Sequence, residues 1–271
     1  MTFLWIAAPV SLAIVLAARR VDAITRSGAA AAFVVGIACL GGGGLRVGLP
    51  LFGFFVTGSA LSRMRARSPR PPDDIAHKGA SRDAVQVLAN GGVAAVCAAI
   101  AGVASASAMG AATVWLTAAV CAIAVAAADT WATEIGIRSH GVTRSIVSGK
   151  TVPPGTSGGV TPIGCVASLA GGGAIGLLAA LSGAVEHYAS WVAVCGGIGG
   201  LGAALDSVLG ATVQGAWRCD TCEVACEAPV HRCGSRARIV RGVRWLDNDG
   251  VNALSTTAGA ALGCLASRLL G

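Results

Sequence analysis

The chain has 271 residues, 54% of them hydrophobic and 12% charged, with a mean hydropathy of +0.71 and a formal net charge of +7. Soluble domains carry about 25% charged residues, so the composition excludes an ordinary soluble domain and points to a polytopic membrane protein. The basic excess does not require nucleic-acid binding, because it follows the pattern of membrane orientation.

Apolar runs of about 17 to 25 residues fit one helical crossing. Eight such spans are predicted, at 2–18, 28–45, 47–62, 84–106, 110–133, 160–183, 190–214 and 250–269. Arg19 and Arg20 follow the first run rather than precede it, so it reads as an anchor and not as a cleavable signal peptide. Between the second and third runs lie Gly41 to Gly44 and Pro50, which allow shorter or re-entrant helices there. Of the 20 Lys and Arg residues, 18 fall in alternate connections, at 19–27, 63–83, 134–159 and 215–249; only Arg46 and Arg268 fall elsewhere. The positive-inside rule makes those four connections cytosolic and puts both termini outside, in a cytoplasmic-type membrane. The fold expected is an all-α bundle forming a single integral membrane domain over 1–271, with a cytosolic Cys-rich loop at 216–247. Its 39 glycines favour close packing through small residues, as at Gly44 with Gly48 and Gly172 with Gly176.

Polar residues of the spans gather at their cytosolic ends. Asp83, Gln86 and Asn90 share one face of the fourth span. Asp129, Thr130, Thr133 and Glu134 close the fifth, Asp206 and Ser207 lie inside the seventh, and Asn248, Asp249, Asn252 and Ser255 open the eighth. A carboxylate left in hydrocarbon costs roughly 2.5 to 3.5 kcal/mol even on insertion scales. Asp129 and Asp206 therefore point to a wet chamber open to the cytosol, holding a metal ion with an anionic ligand. For single Ser and Thr residues, hydrogen bonding between helices is the plainer reading.

The connection before the sixth span carries Arg138, Arg144 and Lys150 and then Val152 to Pro162, rich in Gly, Ser and Thr. Backbone N–H groups of Thr156, Ser157, Gly158 and Gly159 at a helix start suit a phosphate, and Lys150 adds a charge; a punctuated turn is the alternative. Ser148 to Thr151 spell SGKT, but no glycine precedes them at P-loop spacing and no strand leads in, which excludes that motif.

Six of the ten cysteines are scattered through spans, where cysteine acts as a small apolar residue. The other four crowd residues 219–233. Cys219, Cys222, His231 and Cys233 have the spacing of a structural zinc knuckle, with Cys226 a substitute ligand and metal-free thiols the alternative.

The segments QVLANGG at 86–92, ADTWATEIG at 128–136, VPPGTSGGVTPIG at 152–164, LDSVLGATVQ at 205–214 and NDGVNALST at 248–256 resemble, in order, one integral-membrane family. That family, long catalogued as of unknown function, contains vertebrate transmembrane protein 19 and the phytyl-phosphate kinase of plants and cyanobacteria. The likeness runs from about Thr25 to the C-terminus. It implies phosphoryl transfer from a nucleoside triphosphate, CTP favoured, to an isoprenyl monophosphate such as phytyl, geranylgeranyl or farnesyl phosphate. On that reading Mg²⁺ is held by Asp129 and Asp206 with Glu134 and Asp249 behind them. Lys150 and Thr156 to Gly159 hold phosphates, and Asn90 and Asn252 orient water, metal or nucleotide. Rival expectations are a CTP-dependent lipid-alcohol kinase or cytidylyltransferase, and a transporter of a cation or phosphorylated lipid.

Overall fold

The computed structural model describes residues 4–66, 81–105, 109–139, 141–183 and 187–270. Residues 2, 3 and 106 of the predicted spans, and 67–80 of the second basic connection, lie outside the described residues. Seven helices occur among those described: α1 Leu4–Arg20, α2 Arg26–Ala66, α3 Ala84–Ala104, α4 Met109–Arg138, α5 Pro162–Gly183, α6 Tyr188–Thr212 and α7 Asn248–Leu270. Five of them, α2 to α6, contain a stretch long and apolar enough to cross a membrane. The chain is a helical membrane protein.

Two predicted spans, 28–45 and 47–62, are one interrupted element. Gly44 takes φ 59 and ψ −153 inside α2, a region that a side chain would make costly. The chain doubles back there: a Cβ on Gly48 would lie 3.5 Å from the Cα of Leu40, and Phe55 packs against the same cluster, Val15, Ala18, Ala23 and Ile24, as Ala29, Ala32 and Phe33. Gly44 thus makes the reversal itself, where the sequence pattern suggests a packing pair with Gly48. Gly172 and Gly176 do serve close packing, since a Cβ would meet the carbonyl oxygens of Cys195 and Trp191 at 2.5 and 2.3 Å.

The core is built around α4. Ala118 to Ala128 are each at most 1% exposed, and the helix is surrounded by α3, α5, α6 and α7. A helix that is small and apolar on every side can be buried on every side. Its 30 residues span about 45 Å, well over the hydrocarbon thickness of about 30 Å. The last turns, from Asp129 to Arg138, therefore carry their polar groups beyond the sealed core.

All four basic connections meet at one end. Residues 23–25 pair with Arg82 through Thr25 N to Arg82 O and Arg82 N to Ala23 O, both 3.0 Å. Arg63 donates to Val21 O at 2.8 Å, and Arg65 pairs with Glu134 at 3.3 Å. Arg46, beyond the reversal, instead donates to Gly183 O at the far end of α5.

Two small sheets depart from an all-α expectation. β1 Arg144–Ser145 pairs antiparallel with β2 Gly159–Val160. In the Cys-rich segment, β3 Ala216–Cys219 lies between β4 Ala225–Cys226 and β5 Ala237–Arg241, both antiparallel to it. The expected loop is a folded sheet because Trp217, Cys226 and Ala237 have a small apolar core to bury.

Candidate functional site

At the basic end a cavity of about 1020 Å³ opens between the ends of α3, α4, α6 and α7, the 155–161 turn and the Cys-rich sheet. Asn90, Asp129, Glu134, Thr156, Ser157, Gly158, Gly159, Asp206, Asp249 and Asn252 all line it. Lys150 does not. It is exposed in the turn after β1, where its carbonyl accepts from Ser145 N at 2.9 Å. SGKT therefore closes a β-turn, with Gly149 at φ +67, and begins no helix.

Asp129 and Asp206 reach the cavity from α4 and α6, which pack through Gly199 against Ala124 and Ala128. The Ser255 hydroxyl donates to Asp206 Oδ2 at 3.3 Å, while no hydrogen bond reaches Asp129 from the described residues. The two carboxylates are close enough to repel each other, and Glu227 adds to that field at Asp206. Half-buried, repelling and with lone pairs to spare, the pair has the donor chemistry of a hard divalent cation site.

Glu134 is held differently. Its Oε1 accepts from Ser62 Oγ at 2.8 Å and its Oε2 faces Arg65 Nε at 3.3 Å. The expectation makes it a second-rank metal ligand behind Asp129 and Asp206; here it fixes Arg65, and a metal would have to compete with that guanidinium. Asp83, from the same stripe as Asn90, caps α3. Gln86 N donates to its Oδ1 at 2.9 Å and its own N donates to Gln86 Oε1 at 3.1 Å, a reciprocal capping box.

The glycine-rich turn is pressed onto α6. Gly158 has φ +81, and a Cβ there would lie 2.4 Å from the Ala211 Cβ and 2.7 Å from Ser207 O. Thr161 accepts from Gly164 N at 3.1 Å to cap α5, with Pro162 at its first position. Ser157 Oγ donates to Glu227 Oε1, and Gln214 Nε2 donates to Ser157 Oγ at 3.2 Å. One short chain of hydrogen bonds therefore joins the turn, the end of α6 and the Cys-rich sheet.

Among the described residues Arg65, Arg82 and Arg244 are the lining cations, and none of them stands out in the sequence from the basic residues that mark orientation. Arg82 stacks over Phe54 at 5.4 Å in a space that Gly58 leaves open. Burial pushes its guanidinium below its ordinary value and Glu134 opposes that shift; the group stays a cation at neutral pH. Glu227 and Asp247 also line the cavity, Glu227 brought in by the sheet that the sequence pattern leaves as a loop and Asp247 by the start of α7, where it accepts from Gly250 N. Among the described residues six lining carboxylates stand against three guanidinium groups, a balance that suits a polyphosphate arriving with divalent metal.

A second, apolar groove of about 440 Å³ runs between α1, the α2 hairpin and α3. Arg82, Gln86, Asn90 and Thr130 line both spaces, so the groove ends where the charged cavity begins.

In the Cys-rich sheet Cys219, Cys222, His231 and Cys233 bring one ligand atom each to within 4.8 Å of one another. Cys226 is buried with Trp217 and is not one of those four, though it lies near enough to Cys219 and Cys233 to feel their charge. Hydrogen bonds from Ser235 and then His231 hold the Cys233 thiol down to about 6, and a hydrogen bond with Cys233, ahead of burial, pushes Cys222 up to about 11.

The family described as "Integral membrane protein DUF92" matches residues 9–260. Protein PGR of Arabidopsis thaliana is 33% identical over 249 residues, covering 83% of this chain and 82% of that protein. No solved structure matches.

Proposed function

Because the chain belongs to the integral membrane family DUF92, and because its charged cavity meets an apolar groove, we propose that it phosphorylates a membrane-borne isoprenyl monophosphate. The single observation that carries this reading is the junction at Arg82, Gln86, Asn90 and Thr130, shared by the two spaces. A substrate with an ionised head and a hydrocarbon tail fits that junction; a soluble metabolite has no use for the groove, and a simple ion has none either.

The prenyl tail lies along α1 and the α2 hairpin, and its phosphate reaches Arg82 and Asn90. The nucleoside triphosphate, CTP by the family likeness, enters from the cytosolic side against Thr156 to Gly159 and Arg65. Asp129 and Asp206 hold Mg²⁺, with Asp249 and Asn252 beside them. That ion, when bound, neutralises charge on the donor phosphates. A phosphate oxygen of the acceptor attacks the γ-phosphorus, the bond to the β-phosphate oxygen breaks, and prenyl diphosphate and nucleoside diphosphate leave. The acceptor is largely dianionic near neutral pH, its second pKa being about 6. No strong base is needed, and the work of the protein is to orient two anions and exclude water.

The test is mass spectrometry of the detergent-purified protein with Mg²⁺, CTP or ATP, and phytyl, geranylgeranyl or farnesyl monophosphate. Diphosphate formation is expected. Product only from the free alcohols would move the reaction to a lipid-alcohol kinase, a CDP-linked lipid would make it cytidylyl transfer, and no product from any acceptor would favour transport.

A further inference from the structure

We propose that Cys219, Cys222, His231 and Cys233 bind one structural Zn²⁺, and that this ion holds the Cys-rich sheet in place as a wall of the membrane cavity.

The four ligand atoms lie close enough together to surround one ion, all within 4.8 Å of one another. Metal–sulfur bonds of about 2.3 Å give sulfur–sulfur edges of about 3.8 Å. Cys219 Sγ and Cys233 Sγ are 3.6 Å apart, and His231 Nδ1 lies 3.0 Å from Cys233 Sγ. Two tight turns present the ligands. In the first, Cys222 N donates to Cys219 Sγ at 3.4 Å and Glu223 takes a left-handed φ of 55. In the second, Gly234 N donates to His231 O at 2.9 Å, with Gly234 at φ +84. Backbone N–H groups that turn toward a cysteine sulfur stabilise it as a thiolate, the form that binds metal.

The sheet also needs such a staple. Its strands have four, two and five residues, and its buried apolar cluster is Trp217, Cys226 and Ala237. So small a core does not hold a three-stranded sheet by itself; natural units of this size use a metal or disulfides. All four protein ligands are present, so no position is left for a substrate and the ion's role is structural.

The ion would reach the cavity through chain connectivity. Residues 223–230 run between the two ligand pairs and carry Glu227, whose carboxylate takes the Ser157 hydroxyl and, at 3.5 Å, the Gln214 amide. Pinning both ends of that segment pins Glu227, and Glu227 pins the 155–159 turn. Calling that turn a phosphate cradle rests on the function proposed above, so the readouts chosen here are metal content and backbone protection, which do not depend on turnover.

Elemental analysis of protein purified without chelator should give about one zinc per chain, lost in Cys219→Ser and in Cys233→Ser and kept in Cys226→Ser. Cobalt(II) added to the stripped wild-type protein should give the visible bands of tetrahedral thiolate coordination. Stripping zinc should raise hydrogen exchange in residues 216–247 and also in 155–159, with the middle of α4 unchanged. Protein free of zinc, or zinc retained in both cysteine variants, would overturn the site. Zinc loss that leaves exchange at 155–159 unchanged would overturn the coupling.

Discussion

The two halves of α4 solve opposite problems on one helix. From Ala118 to Ala128 the helix is sealed on all sides, and neighbouring backbones come within contact of it: a Cβ on Gly199 would sit 3.0 Å from Ala124 O, and one on Gly263 would sit 3.0 Å from the Cα of Ala118. From Asp129 onward the same helix turns carboxylates, threonines and Trp131 toward a cavity and toward α2, where Trp131 Nε1 donates to Thr57 at 3.3 Å. The contrast shows how a glycine- and alanine-rich body can carry a polar site. Small residues let five helices converge, and convergence brings Asp129 and Asp206 to one place with little side-chain mass between them.

Substitution in the sealed half should act on stability and substitution in the cavity half on turnover. A large effect on the fold is expected for Gly172→Ala in α5, which packs onto the sealed half, because its Cβ would meet Cys195 O at 2.5 Å. Overpacking of this kind costs about 1 to 3 kcal/mol, read as a lower thermal midpoint in detergent. An unchanged midpoint would mean that the helix contact is looser than described. Gly197, on the neighbouring α6 with nothing within 4 Å of a Cβ, is the matched control, and Gly197→Ala should hold or raise the midpoint.

Arg82→Gln removes the cation at the meeting of groove and cavity. It should raise the acceptor KM by about tenfold, the loss of one hydrogen bond to a charged group, and leave the nucleotide KM nearly unchanged. Equal weakening of both substrates would place Arg82 on the donor instead. The smallest effect is expected for Lys150→Ala. With the side chain exposed outside the cavity, steady-state rates should stay within about twofold of wild type. A large loss would bring Lys150 back to the phosphates through a movement of the β1 turn.

What the sequence could and could not reveal divides along physical lines. Long apolar runs broken by charged connections report helices directly, so the ends of α3, α5, α6 and α7 fall within a few residues of expectation. The i, i+3, i+7 stripe of Asp83, Gln86 and Asn90 is also visible, but only the cap geometry distinguishes Asp83, which opens α3, from Asn90, which faces the cavity. Asp129 and Asp206 declare themselves because a charge in an apolar run has to be explained. Arg65 and Arg82 do not, since a basic residue beside a span is ordinary. Glu227 was hidden for another reason: it reaches the cavity only after a sheet of three short strands has folded, and those strands are too short to show a period. The reversal in α2 was legible as the break between two predicted spans, but not its residue, because four successive glycines offer several places to turn.

The most direct test of the central claim sets Asp129→Asn and Asp206→Asn beside wild type in the acceptor assay, with thermal midpoints measured on the same preparations. At least about 100-fold loss of diphosphate formation is expected in each, with midpoints held within a few degrees. Near-normal turnover in both variants would contradict that claim.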